Sequence, residues 1–306
     1  MTNIKVSNSN LTVPSIVSGC MRFGEFTTDQ MVSFIHKALE NGVNFFDHAD
    51  IYAGGKSEEI FGKALAADKS IKREDLIIQS KCGIRQGFFD FSKEHILESV
   101  DGILSRLQLE YLDVLLLHRP DALVEPEEVA AAFDKLVEQG KVRNFGVSNQ
   151  NPMQMELLKK YVKQPLIFNQ LQFSIPVSNM IAQGLEVNMD SDGATNRDGS
   201  ILDYCRLNEI TIQAWSPFQK PNWKGCFIND PENPKLNADI DELAKKYNAT
   251  ATQIATAWIL RHPAKMQVIA GTTSESRLAE IADATKIQLT RPEWYKLYLD
   301  CGHILP

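Results

Sequence analysis

Eight short apolar runs recur along this chain, and nearly every one is followed by a stretch with helical spacing. They are Ser15–Gly19, Val43–Phe46, Leu76–Lys81, Leu112–Leu117, Val142–Val147, Leu166–Leu171, Ile210–Trp215 and Gln267–Ala270. The runs are continuously apolar, as in parallel strands covered on both faces. The helices between them are expected at about 28–41, 57–67, 92–107, 127–139, 152–164, 201–207, 238–247 with 252–261, and 275–284. Eight β-α units in 306 residues predict an α/β TIM (β/α)8 barrel, one domain over 1–306. Alternating residues around Ser-Asn-Ser-Asn predict an N-terminal β-hairpin over 4–13. Thr290-Arg-Pro-Glu opens an extra C-terminal helix and tail outside the alternation. A doubly wound sheet is disfavoured because no G-x-G-x-x-G separates the first strand from its helix.

Composition removes several function classes. A formal net charge of −7 argues against a nucleic-acid partner held by bulk positive charge. No apolar run reaches the roughly 18 residues a membrane span needs, and the N-terminus has no leader-like apolar segment. Five scattered cysteines without a CxxC pair fit reduced thiols, so a cytoplasmic location is expected and a metal site is not. No interface signature is legible, and a monomer is the expectation.

A barrel of this type concentrates its chemistry at the C-terminal ends of its strands. Those ends carry Asp47 with His48, Asp50 and Tyr52, then Lys81, then His118-Arg-Pro-Asp121. Later strands end in Ser148-Asn149, Asn169-Gln170, Trp215-Ser-Pro and Gly271-Thr-Thr-Ser. Four polar groups within Asp47–Tyr52 are costly to bury unless each finds a partner. Polar loop residues occur at any barrel mouth, so Ser148, Gln170 and Thr272 individually carry little. A Lys closing Ile77-Ile-Gln-Ser-Lys81 and a His closing Leu115-Leu-Leu-His118 carry more.

Taken together, Phe46-Asp-His-Ala-Asp-Ile-Tyr52, Ser80-Lys-Cys-Gly83, Leu116-Leu-His-Arg-Pro-Asp121, Gly140-Lys-Val-Arg-Asn-Phe-Gly-Val-Ser-Asn149, Asn169-Gln170 and Trp215-Ser-Pro217 resemble the aldo-keto reductases. The closest likeness is to the bacterial subgroup with the Asp-His-Ala-Asp-Ile-Tyr motif, and it spans nearly the whole chain. The resemblance implies reduction of aldehydes or ketones to alcohols, with hydride from NADP(H) and a proton from Tyr52. A phenol with a pKa of about 10 needs a nearby cation to act as an acid at neutral pH. Lys81 would supply that charge and lower the phenol's pKa, with Asp47 holding the ammonium and His118 orienting a small-molecule carbonyl substrate. The same likeness assigns Ser148, Asn149 and Gln170 to the nicotinamide carboxamide and Trp215 to stacking on its ring. Ser216, Pro217 and Phe218 would begin the loop over the pyrophosphate. Gly271, Thr272, Thr273, Ser274, Arg277 and Glu280 would hold the adenosine end, Arg277 meeting a 2′-phosphate.

Two departures bear on the cofactor. Gly271 stands where many relatives carry a basic residue, and Ile281 where they often carry Asn. NADP(H) is expected, with NAD(H) admitted. His48 reads as making a structural bond. Arg22 and Arg119 admit either an anionic substrate or a salt bridge within the barrel. A metal-dependent hydrolase using His48, Asp50 and His118 is disfavoured by the scarcity of histidines. A cofactor-binding redox sensor of the same fold stays open. Substrate choice is expected to rest on residues 22–26, 84–91, 184–200, 217–237 and 301–306, where Phe88, Phe89, Trp223 and Phe227 suggest an apolar pocket.

Overall fold

The computed structural model describes residues 2–187, 189, 192–195 and 199–303. Eight parallel strands close a barrel among them: β1 Ile16–Gly19, β2 Phe45–Asp47, β3 Ile77–Cys82, β4 Leu112–His118, β5 Val142–Ser148, β6 Leu166–Gln172, β7 Thr211–Trp215 and β8 Gln267–Ala270. Each strand pairs with the next in sequence, and β8 pairs with β1. The helices are α1 Thr28–Glu40, α2 Lys56–Ala67, α3 Lys93–Leu107, α4 Pro126–Glu138, α5 Pro152–Lys159, α6 Asn179–Leu185, α7 Ile201–Leu207, α8 Pro234–Tyr247, α9 Ala251–Leu260, α10 Glu275–Asp283 and α11 Arg291–Asp300.

Strand alternation divides the core in two. Outward residues such as Phe46, Ile78, Leu115, Leu117, Val147 and Ile212 pack beneath the helices. Inward residues Val17, Phe45, Val114, Leu116, Phe168 and Ile269 join Ile4, Val6 and Val13 in a second cluster. The hairpin of Asn3–Lys5 and Thr12–Pro14 therefore plugs the barrel floor, leaving the opposite mouth for chemistry. α11 is fastened outside the barrel by reciprocal bonds. The Trp258 indole donates to the Trp294 carbonyl at 3.0 Å, and the Trp294 indole to the Trp258 carbonyl at 2.9 Å.

Helix ends set the strand starts. α1 begins with a capping box at Thr27 and Gln30. It ends with Gly42 at φ +74° and the Val43 N–H donating to the Ala38 carbonyl at 2.8 Å. That Schellman closure consumes Val43, so β2 starts at Phe45 rather than Val43 and Asp47 is its last residue. α3, α4 and α8 end alike, through Gln108, Gly140 and Asn248 at positive φ. α8 begins at Pro234, four residues before the expected start, because proline is tolerated in a first helical turn and the proline-rich loop hides the boundary. α6 and a two-stranded ribbon of Ile84–Arg85 with Phe88–Phe89 fall in segments too short to show periodicity. In the expected specificity segments, residues 188, 190–191, 196–198 and 304–306 lie outside the described residues.

α2 and α3 are tied to the barrel by a buried ion pair. Glu58, fully buried, accepts from Arg106 Nε at 2.8 Å and from Ser80 Oγ at 2.7 Å. Ser80 points outward from β3, which turns its neighbours Gln79 and Lys81 into the barrel.

Candidate active site

The segment after β2 stays hydrogen-bonded to β3, and this fixes Tyr52. The backbone N–H of His48 donates to the Gln79 carbonyl at 2.8 Å, and that of Asp50 to the Lys81 carbonyl at 3.1 Å. The chain then turns sharply, with Ala53 and Gly54 in left-handed conformations directly after Tyr52. Tyr52 is thereby held over Lys81.

Lys81 is completely buried, and its ammonium has three acceptors for its three N–H groups. They are Asp47 Oδ2 at 2.8 Å, the His48 carbonyl at 2.7 Å and the Tyr52 hydroxyl at 3.0 Å. Burial works to lower the Lys81 pKa, but Asp47 and Tyr52 outweigh it and hold the ammonium charged. For Tyr52 the largest effect is burial, which raises the phenol, and Lys81 opposes it. The net direction is upward, opposite to the lowering expected from the lysine alone. Desolvation of the oxyanion explains the difference. Tyr52 is therefore protonated at neutral pH, with the Lys81 ammonium beside its hydroxyl.

His118 ends β4 with its ring perpendicular to that of Tyr52, centroids 6.2 Å apart. Burial, followed by the charges of Lys81 and Arg119, pushes its pKa well below 6.5, so the imidazole is neutral.

These groups sit at one end of a cavity of about 520 Å³. Asp47, Tyr52, His118, Ser148, Asn149, Gln170, Trp215, Ser216, Pro217, Phe218, Gly271, Thr272 and Arg277 all line it, and Lys81 lies beneath Tyr52. The Trp215 indole donates to Asn149 Oδ1 at 3.2 Å, Asn149 Nδ2 to Ser148 Oγ at 2.8 Å, and Ser148 Oγ to the Gln170 carbonyl at 3.0 Å. A relay of side chains thus sets the tilt of the Trp215 ring.

Comparison with known proteins identifies the family. The family model described as "Aldo/keto reductase family" matches residues 15–297. The chain belongs to the aldo/keto reductase family. "Oxidoreductase YdhF" of Escherichia coli is 34% identical over 277 residues, covering 88% of this chain and 86% of that one. A "6-dehydroglucose reductase" of Agrobacterium fabrum is 32% identical over 311 residues, covering 97% of each. Among solved structures, an aldo-keto reductase from Klebsiella pneumoniae in complex with NADPH superposes with a TM-score of 0.78 at 24% identity, covering 100% of this chain and 97% of that chain. This aldo/keto reductase is accordingly an enzyme of the oxidoreductase type.

Thr273, Ser274 and Glu280 stand outside the cavity wall. Ser274 caps α10, its hydroxyl accepting from the Arg277 N–H at 3.3 Å. Glu280 accepts from the hydroxyl of Thr250, the cap of α9. Ile281 is fully buried in the core, so its apolar character serves packing. Phe227 is likewise buried and pins its loop rather than opening to the cavity, while Trp223 stacks on Trp215 at 5.3 Å between centroids. Neither His48 nor Asp50 lines the cavity. His48 packs edge-on to Phe61, and neither ring nitrogen has a hydrogen-bond partner among the described residues, contrary to the expected structural bond.

Below the site lies a layer of buried amides that the strand termini do not reveal. Gln79 Nε2 donates to Asp47 Oδ1 at 2.6 Å and to Gln213 Oε1 at 2.9 Å. Gln213 donates to Gln267 Oε1 at 2.9 Å, and Gln267 to the Pro14 carbonyl at 2.7 Å. Gln170 Nε2 also reaches Asp47 Oδ1, at 3.2 Å. The signal was present in the strands. Gln79 and Gln213 lie two residues before Lys81 and Trp215, on the same inward face.

The isolated imidazole of His48 makes stability pH-dependent. Burial first, then Lys81, lowers its pKa from 6.5 to about 3. The unfolded chain takes up this proton below 6.5 and the folded chain does not until about 3. Its stabilisation is thus complete above that window and lost as pH falls through it, by at most about 1.4 kcal/mol per pH unit. Asp50, raised by burial and then by Glu58 to about 6, acts in the opposite sense over its own window. His48→Leu is expected to lose less stability than the wild type between about pH 6.5 and 5, read as urea midpoints.

Proposed function

We propose that the chain is an NADPH-dependent carbonyl reductase in which Tyr52 is the proton donor. The observation that carries the proposal is the 3.0 Å bond between Lys81 Nζ and the Tyr52 hydroxyl at the floor of the cavity. A neutral His118 beside Tyr52 donates a hydrogen bond to the substrate oxygen, orienting it toward the phenol. As negative charge develops on that oxygen, Tyr52 gives up its proton and Lys81 stabilises the tyrosinate. Asp47, braced by Gln79 and Gln170, keeps the ammonium in place. Water afterwards returns a proton to Tyr52.

The residues present fit NADPH. Gln170 Oε1 accepts no hydrogen bond from the described residues and lies at the cavity wall, free for a carboxamide N–H. Trp215 offers a flat face to the nicotinamide. Gly271 leaves open space where a side chain would project, and Arg277 is exposed at the cavity beside the start of α10, suited to a 2′-phosphate. NADH would lack the Arg277 contact and is expected to bind more weakly. When bound, the cofactor supplies the hydride. The test is NADPH consumption with a simple aromatic aldehyde, followed by the absorbance of the reduced nicotinamide. Consumption matched by alcohol formation supports the proposal, and tight NADPH binding without turnover on any carbonyl defeats it.

A further inference from the structure

The arginines whose side chains are described divide into two groups. Away from the cavity, Arg73 and Arg143 pair with Asp113, Arg85 with Asp90, Arg106 with Glu58 and Arg206 with Asp203, while Arg261 donates to the Leu289 carbonyl. Arg22, Arg119 and Arg277 line the cavity, and none has a carboxylate partner among the described residues. Arg277 is accounted for by the adenosine end of the cofactor. Arg22 and Arg119 are not.

Arg119 directly follows His118, and its backbone is held at φ +82°, a conformation costly for a side chain of this kind. That turn sets a half-buried guanidinium 5.4 Å from the Trp215 ring, at the wall that also carries Tyr52 and His118. Burial depresses its ordinarily very high pKa, with Tyr52 opposing, so the cation has lost water without gaining a counter-ion. Among the described residues the one carboxylate on the cavity wall, Asp47, is already committed to Lys81. In a protein of net charge −7, the reacting end of the cavity is therefore locally positive.

We infer that the carbonyl substrate carries a carboxylate, bound by Arg119 while its carbonyl oxygen lies against Tyr52 and His118. The inference rests on the reductase reading above. One planar guanidinium matches the two oxygens of a singly charged carboxylate. A dianionic phosphate would call for more donors than this half-buried group supplies. Arg22, exposed at the mouth, adds attraction that salt screens.

The test compares 4-carboxybenzaldehyde with its neutral analogue methyl 4-formylbenzoate, both with NADPH. Wild-type kcat/KM is expected to favour the carboxylate by about ten- to a hundredfold, and Arg119→Gln to bring the ratio near one through the KM of the acid. Arg119→Lys is expected to keep part of the preference, and added salt to reduce it. Glyceraldehyde 3-phosphate against glyceraldehyde forms a second arm. A larger preference there, also lost in Arg119→Gln, would overturn the carboxylate assignment in favour of phosphate. Equal turnover of acid and ester by the wild type, or a preference unmoved by Arg119→Gln, would overturn the inference while leaving the reductase reading standing. No NADPH consumption with any of the four carbonyls would overturn both.

Discussion

Tyr52→Phe is expected to lower carbonyl reduction by about 10²- to 10⁴-fold while NADPH binding survives. The substitution removes one oxygen and little else. The ring remains against His118 and the turn through Ala53 and Gly54 is untouched. Lys81 keeps its bonds to Asp47 and the His48 carbonyl, so its charge stays compensated. What disappears is the hydroxyl that Lys81 holds at the cavity floor. Parallel titrations of cofactor fluorescence and measurements of turnover separate the two effects. A Tyr52→Phe enzyme with unimpaired turnover would remove the phenol from the mechanism.

Lys81→Met is expected to be the most damaging single change to the fold and the chemistry together. Asp47 is 1% exposed and would keep two amide donors, Gln79 and Gln170, but lose its cation. Breaking a buried pair from one side costs about 3–5 kcal/mol. Turnover should fall by about 10²-fold or more, because the tyrosinate loses its stabilising charge. Lys81→Met with Asp47→Asn makes the contrast. The amide still accepts from the glutamines and carries no charge, so urea stability should largely return while turnover does not. A double variant as unstable as Lys81→Met would show that the cost lies in packing rather than in unpaired charge.

The barrel was legible because its signal repeats. A boundary missed at β2 or α8 leaves eight strands still in register with eight helical stretches, and alternation along β3 and β7 places Lys81 and Trp215 inside. The gathering of Asp47, Tyr52, Lys81 and His118 was legible because they fall at or just beyond strand ends. What escaped depends on cross-barrel neighbours. Nothing local to Gln79 reveals that Gln213 lies opposite it. His48 reads as a polar residue in a polar cluster, yet the turn that sends Tyr52 to the cavity buries the imidazole against Phe61. Arg119 is similar, since it follows His118 directly and only the arrangement of carboxylates elsewhere leaves it without one among the described residues.

The most direct measurement of the central claim is an isotope transfer. Wild-type protein is given an aromatic aldehyde and NADPH carrying deuterium at both C4 positions of the nicotinamide, and the alcohol is examined by mass and NMR. One deuterium on the carbinol carbon for each NADPH oxidised is the predicted result, with the hydroxyl proton drawn from solvent through Tyr52. An unlabelled alcohol, or bound NADPH that is never oxidised, would contradict it.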